Sequence, residues 1–444
     1  MEKLFHLKQH GTTLKTEIVA GLTTFFAMAY IIFINPTMLG ENSPAGMPTT
    51  GVMIATCLSA ALGTWLIGLL TNYPLAQAPG MGLNAVFTYT LCGTLGLTYQ
   101  TALAAVFIAG AFFILLTVTG ARKAIVDAIP LSLKKAISSG IGFFIALLGL
   151  NSAGLLSNET GTVIGMGSLA VPTTLLAVFG LILTIVLVIC KVKGALFLSI
   201  IGASAVGCFM QFVFDVDMGI TLPSSWKPAL DFSLFGSVFT GFGDLFSVSF
   251  ASLLSVMITL LLVDMFDTIG TLIGAADKAG YLDENGNLPK VESAMLADAI
   301  ATSAGAVIGT STVTTFVEST AGISAGGRTG LTSIVTGACF AASMFLSPLL
   351  GFVPTVATAP TLIVVGVMMA GSLREIEWND LEVAIPAFLT ILGMPLFYSI
   401  TDGIAFGFIS YIIVKLASRK IREIHPLMYV VVALFLLKYI LSTL

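Results

Sequence analysis

Pro79-Gly-Met-Gly-Leu-Asn-Ala85 and Thr312-Val-Thr-Thr-Phe-Val-Glu-Ser-Thr-Ala-Gly322 are short, Gly- and Thr-rich stretches inside a chain of long apolar runs. The segments that hold them, 79–92 and 312–326, are too short and too rich in glycine to cross a bilayer as plain helices, which need roughly 20 apolar residues. Each reads as extended backbone leading into a half-helix. Irregular backbone is tolerated at membrane depth only where protein or an aqueous cavity satisfies its N–H and C=O groups. A pair of such interruptions at corresponding places in two halves of a chain marks a transporter binding site at an inverted-repeat interface.

The surrounding sequence fits that frame. The chain has 444 residues, is 57% hydrophobic and 9% charged, and has a mean hydropathy of +1.02, values far from those of a soluble domain. It is an all-α polytopic membrane protein by composition, and its apolar runs recur from end to end, unlike a single cleavable leader. Spans are predicted over 17–38, 50–72, 99–120, 133–150, 171–190 and 194–214, and over 245–275, 292–308, 329–349, 357–372, 384–399 and 402–416. With the two interrupted segments this makes seven before the linker 217–244 and seven after it. An odd number per half forces the halves into opposite orientation. The expected organisation is a first repeat over 1–216, an external linker over 217–244, a second repeat over 245–424, and an apolar segment within 425–444 that either crosses or lies in the interface.

Lys3, Lys8, Lys15, Arg122, Lys123, Lys134, Lys135, Lys191 and Lys193 fall on one side if the interrupted segments count as crossings. Lys278, Lys290, Arg328, Arg374, Lys415, Arg419, Lys420 and Arg422 fall on that same side, so the positive-inside rule puts the N-terminus in the cytoplasm. The net charge of −4 identifies no partner. Cys57, Cys92, Cys190, Cys208 and Cys339 sit in apolar segments without CxxC spacing, and His6, His10 and His425 lie in basic tails, so no metal site is expected.

Acidic residues inside the apolar runs carry the functional argument. An ionisable group near the bilayer midplane costs about 3 kcal/mol on insertion scales and is a functional candidate by default. In Val263-Asp-Met-Phe-Asp-Thr-Ile-Gly-Thr271, Asp264, Asp267 and Thr271 share one helical face. Two carboxylates so close repel when both are ionised, and a proton on one relieves the site, which suits proton coupling. The bland alternative for either is a hydrogen bond to a neighbouring helix. Glu318 lies among Thr312, Thr314, Thr315, Phe316, Val317 and Ser319, where unwound backbone, an aromatic face and a carboxylate together suit a flat, neutral, hydrogen-bonding solute. Asn84, after Pro79, Gly80 and Gly82, is its expected counterpart across the site, with simple helix–helix hydrogen bonding as the alternative. Asp298 reads as a structural acid that holds the broken segments in register. Gly241-Phe-Gly-Asp244 matches the GxGD string of intramembrane aspartyl proteases, but Asp244 stands at the predicted start of a span, where a capping role is expected.

The chain resembles the azaguanine-permease-like branch of the nucleobase cation symporters, the purine permeases. The resemblance is carried by Thr16-Glu-Ile-Val-Ala-Gly-Leu-Thr-Thr24, Ala78-Pro-Gly-Met-Gly-Leu-Asn-Ala85, Phe266-Asp-Thr-Ile-Gly-Thr271, Gly309-Thr-Ser-Thr-Val-Thr314, Glu318-Ser319 and Ala325-Gly-Gly-Arg-Thr-Gly-Leu-Thr332. It implies the uracil-permease fold: fourteen segments in two inverted repeats of seven, a core of segments 1–4 and 8–11, a gate of segments 5–7 and 12–14, and a short strand plus half-helix in segments 3 and 10. It also implies that Asp267 and Glu318 bind substrate and couple protons. Asn84, with Gly82 beside it, is a site residue of segment 3, and Asp298 an acid of segment 9 important for function. Phe316 and Val317 are further candidates to line the site, with Ser319, Thr271 and Asp264 in supporting places, although the family pattern gives Asp264 no role equal to that of Asp267. Met81-Gly-Leu-Asn84 and Ile137-Ser-Ser-Gly-Ile-Gly142 look closer to adenine permeases than to the guanine/hypoxanthine type.

The expectation is therefore a multi-pass transporter of the bacterial inner membrane, not an enzyme, that imports a purine base with protons, adenine before hypoxanthine or guanine. No cofactor beyond the coupling proton and no nucleic-acid partner are expected, and related folds form homodimers. The rival readings are an anion carrier, which would want a cation or bare half-helix N-termini at the site, and an intramembrane protease.

Overall fold

The computed structural model describes residues 2–120, 128–157, 165–223, 225–245, 250–279, 281 and 288–442. Arg122 and Lys123, and the side chains of Lys3 and Lys278, lie outside the described residues. Ten of the described helices are long and apolar enough to cross a membrane.

The first span is two helices, α1 (Leu14–Met28) and α2 (Ile31–Leu39), broken at Ala29–Tyr30. Thr13 caps α1 by accepting from Thr16 N at 3.2 Å. Next, α3 (Thr49–Thr71) ends at Asn72 in the left-handed conformation, φ 63°. The first interrupted segment follows as β1 (Gln77–Pro79), the half-helix α4 (Met81–Ala85) and a π-helical stretch over Val86–Thr94. The first half continues with α5 (Tyr99–Val118), α6 (Leu131–Ser152), α7 (Pro172–Ile189) and α8 (Ala195–Phe214).

The second half begins with a short helix, α9 (Val238–Leu245), then α10 (Phe250–Ala279) and α11 (Val291–Ile308). The second interrupted segment is β2 (Val313–Thr315) and the half-helix α12 (Ser319–Ser324). After it come α13 (Gly330–Ser343), α14 (Thr355–Met369), α15 (Leu381–Leu396), α16 (Ile400–Ala417) and α17 (Pro426–Ser442). The predicted span 329–349 falls within Gly330–Phe352, a stretch long and apolar enough to cross a membrane; it is α-helical to Ser343 and then tightens into a 3-10 helix over Met344–Phe352, with Pro348 inside it. Asp244 lies in α9, whose Gly241 lets the helix rest against the Gln100–Thr101 backbone of α5; residues 246–249, where the predicted span 245–275 begins, lie outside the described residues.

Contacts sort the helices into two groups. One holds α1, α3, α5, α9, α10, α11, α12 and α13 around the two strands, and the other holds α6, α7, α8, α14, α15 and α16. The second group shows the pseudo-symmetry expected of inverted repeats: α7 packs on α14 as α15 packs on α6, and α7 pairs with α8 as α15 pairs with α16. Its central pair, α6 and α14, approaches through glycines. A Cβ on Gly142 would lie 2.7 Å from the carbonyl oxygen of Gly366, and one on Gly149 would lie 2.8 Å from Ile363 Cγ1. Lipid offers no hydrophobic drive to press helices together, so small residues that admit close van der Waals contact do that work.

The linker closes one end of the molecule. Gly236 N donates to Val307 O at 2.7 Å, Ala229 N donates to Ser347 Oγ at 3.0 Å, and Trp226 stacks on Phe352. At the other end the N-terminal stretch is tied down through Asn72, whose Nδ2 donates to Phe5 O and whose Oδ1 accepts from Gly330 N. The C-terminal α17 is a further helix beyond the fourteen segments. It buries Met428, Val431, Val432 and Phe435, and packs against α10 and α16.

Candidate substrate site

The two interrupted segments meet as an antiparallel pair, with Gln77 opposite Thr315, Ala78 opposite Thr314 and Pro79 opposite Val313. Gly80 N donating to Thr312 O and Phe316 N donating to Ala76 O, each at 3.0 Å, extend the ladder at both ends. All six strand residues are buried, and their backbone groups find partners in the opposite strand and in side chains such as Thr64 and Thr302, as buried irregular backbone at membrane depth must. Both half-helices start at this small sheet, so their N-terminal N–H groups and positive dipole ends converge on the middle of the protein.

Side chains lock the junction from three directions. Thr64 Oγ1 on α3 accepts from Gln77 N at 2.9 Å and donates to Gln77 O at 3.0 Å. Ser319 Oγ accepts from Ala76 N at 3.0 Å and donates to Phe316 O at 2.6 Å. Asp298 on α11 accepts from Gln77 Nε2 at 3.3 Å and from Thr268 Oγ1 at 3.0 Å, and the Thr268 and Thr314 hydroxyls are 2.8 Å apart. Asp298 is fully buried and holds β1 against α10.

Glu318 stands immediately before α12, and its side chain does not cap that helix. It reaches out of its own segment, where Oε1 accepts from Tyr30 Oη at 2.6 Å. Next to it, Val317 is 47% exposed between the buried Phe316 and Ser319, so the backbone at Glu318 borders open space. Asp267 on α10 is partly exposed, and its carboxylate lies within electrostatic reach of Glu318 and Asp298. Thr271 is one turn further along and also partly exposed, whereas Asp264, one turn earlier, is fully buried. The acids that the fold gathers at the sheet are therefore Asp267, Asp298 and Glu318.

Asn84 is fully buried in α4. Its Oδ1 accepts from Ser311 Oγ, just before β2, and its Nδ2 has no partner among the described residues. Gly82 faces the second group of helices, where a Cβ would lie 2.8 Å from Ile141 Cγ2 on α6. Arg328, the cation nearest to α12 in sequence, is turned away from the sheet. Its Nη1 donates to Ile323 O and Gly327 O at 2.7 Å and so satisfies the far, C-terminal end of α12. Tyr30, Gln77, Thr268 and Ser311 escaped sequence reasoning. Gln77, an amide one residue before Ala-Pro-Gly in an apolar context, carried a readable signal, but Tyr30 is one of nine tyrosines and only its contact 288 residues away sets it apart.

This architecture is that of an inverted-repeat transporter. The transmembrane domain of a cyanobacterium bicarbonate transporter, BicA, superimposes with a TM-score of 0.62 at 17% identity, covering 89% of this chain and 97% of that one. The inward-facing murine anion transporter Slc26a9 gives 0.62 at 13% identity, covering 91% of this chain and 69% of that one. Likenesses at such identities show the fold alone. At the level of sequence, the family model Xan_ur_permease, described as "Permease family", matches residues 15–437, and the chain belongs to that family. It is 44% identical over 439 residues to the guanine/hypoxanthine permease PbuO of Bacillus subtilis, covering 98% of this chain and 99% of that one. It is 40% identical over 440 residues to the adenine permease AdeP of Escherichia coli, covering 99% and 96%. The protein is a membrane-embedded transporter and not an enzyme.

Proposed function

We propose that the protein imports a purine base across the bacterial inner membrane together with protons, with its N-terminus in the cytoplasm and adenine as the first candidate substrate. The observation that carries this reading is the Glu318 carboxylate at the mouth of α12, beside exposed Val317 and within reach of Asp267. A carboxylate with a lone pair to spare accepts N–H bonds from a flat heterocycle, and Asn84 Nδ2, without a partner among the described residues, offers donors to ring nitrogens. Two acids sharing one low-dielectric site favour a bound proton when the substrate is neutral, which supports coupling through Asp267 and Glu318. Alternating access would come from the strand-bearing group of helices sliding against the group built on α6 and α14.

The relatives include adenine and guanine/hypoxanthine permeases at similar identity, so the choice among purines rests on a competition experiment. Uptake of labelled adenine, with unlabelled hypoxanthine, guanine and uracil as competitors and with or without a protonophore, tests every part. Collapse with the protonophore and competition by adenine alone support the full reading. Competition by hypoxanthine and guanine moves the substrate to the 6-oxopurines, and absence of any purine uptake refutes it. An anion carrier, the function named for BicA, fits less well, because the site presents acids and Arg328 is spent on the C-terminal end of α12.

A further inference from the structure

We infer that Tyr30 is a positioning residue for substrate recognition, acting through Glu318; the inference rests on the reading of Glu318 as a substrate-binding carboxylate. Tyr30 sits at the break between α1 and α2, where the helix is interrupted, and it is only 1% exposed. Its phenol finds one acceptor, Glu318 Oε1, at 2.6 Å, a length typical of a bond to a carboxylate.

That bond does two things. It takes up one carboxylate oxygen and fixes the rotation of the group, so that the other oxygen is presented in a defined direction. It also joins the first span, at the turn where α1 passes into α2, to the second interrupted segment. The two elements are packed to move as a unit: Gly322 of α12 lies so close to α1 that a Cβ there would be 2.7 Å from Ala20 O. The Tyr30–Glu318 distance is therefore kept when the strand-bearing group shifts as a body. A buried hydroxyl with a purely structural role would need any acceptor. This one takes the oxygen of a residue whose neighbour Val317 is exposed, and pre-orienting a recognising group reduces the ordering cost of binding.

The experiment uses the full chain purified into proteoliposomes, with uptake of labelled adenine and hypoxanthine measured for the wild type, Tyr30→Phe, Glu318→Gln and the double variant, alongside thermal melting of each. Tyr30→Phe removes one oxygen and keeps the ring's packing. The expected result is a KM raised about tenfold, equivalent to about 1.4 kcal/mol, with Vmax and melting temperature little changed and no further loss when the substitution is added to Glu318→Gln. An unchanged KM, or a fall in Vmax that follows the melting temperature, overturns the role of Tyr30 while leaving Glu318 in place. Failure of the wild type to take up either purine overturns the underlying reading and Tyr30 with it.

Discussion

Gln77 and Asp298, one from each half of the chain, are hydrogen-bonded at 3.3 Å in the buried centre of the protein. The contact joins the strand of the first interrupted segment to the helix that precedes the second. Gln77 Nε2 also donates to Thr315 Oγ1 at 3.2 Å, the residue directly opposite it in the sheet. One amide thus holds the register of the sheet and its distance from α11.

Removing Asp298 tests that arrangement. Asp298→Ala leaves the buried donors Gln77 Nε2 and Thr268 Oγ1 without this acceptor, and an orphaned buried polar group costs about 1–3 kcal/mol. Asp298→Asn keeps one acceptor oxygen and the side-chain volume. The expected outcome is a clear drop in melting temperature for the alanine variant and a much smaller one for asparagine, measured by thermal denaturation in detergent.

Gly82 lies where the half-helix α4 passes α6. A methyl group there would have to displace Ile141 Cγ2 from 2.8 Å, and a valine would need more room still. Overpacking typically costs about 1–3 kcal/mol. Gly82→Val is expected to slow purine uptake severely by wedging the two groups of helices, and Ile141→Ala, by opening space opposite, is expected to restore part of the rate. A rate that stays low in the double variant would place the fault in the half-helix itself.

The interrupted segments were legible in the sequence because glycine, threonine and proline in an apolar context leave few conformations open at membrane depth. Span positions were legible for the same reason, since the bilayer sets their length. Helix type was less so: the change at Ser343 from α to 3-10 geometry depends on packing against neighbours. At the site, carboxylates announced themselves by the cost of burying them, which is how Asp267, Asp298 and Glu318 were found. Tyr30 and Ser311 are inexpensive to bury and common elsewhere, and nothing local ties them to the site. Spacing along one helix set Asp264 beside Asp267, and the tertiary fold adds Glu318 and Asp298 within electrostatic reach of Asp267.

Glu17, read in the sequence only as part of a family string, is fully buried and spends both oxygens on the loop that leads into α13. Oε1 accepts from Arg328 N at 2.9 Å. Oε2 accepts from Thr329 N and Oγ1 and from Thr332 N and Oγ1, at 2.6–3.3 Å. Glutamine cannot replace it, because its amide nitrogen would face donors. Glu17→Gln is expected to lower stability by about 1.5–3 kcal/mol, the range for hydrogen bonds to a charged group, while leaving the pattern of purine competition unchanged in the protein that folds. A competition pattern that changes would show that this loop shapes the site.

The structure gives Asn84 one bond and the proposed function assigns it another, and two alanine substitutions separate them. Its Oδ1 bridges the halves by accepting from Ser311 Oγ, and its Nδ2, without a partner among the described residues, is the donor assigned to the purine. Ser311→Ala removes the bridge and leaves the amide in place, whereas Asn84→Ala removes both. If bridging were the whole function, the two variants would lose affinity equally and the double variant would be no worse than either, since each deletes the same bond. The expected outcome is different: a small rise in KM for Ser311→Ala, a rise of about tenfold or more for Asn84→Ala, and a double variant that matches Asn84→Ala. Equal KM values for the two single variants would remove Asn84 from the substrate site and leave it as a tie between the repeats.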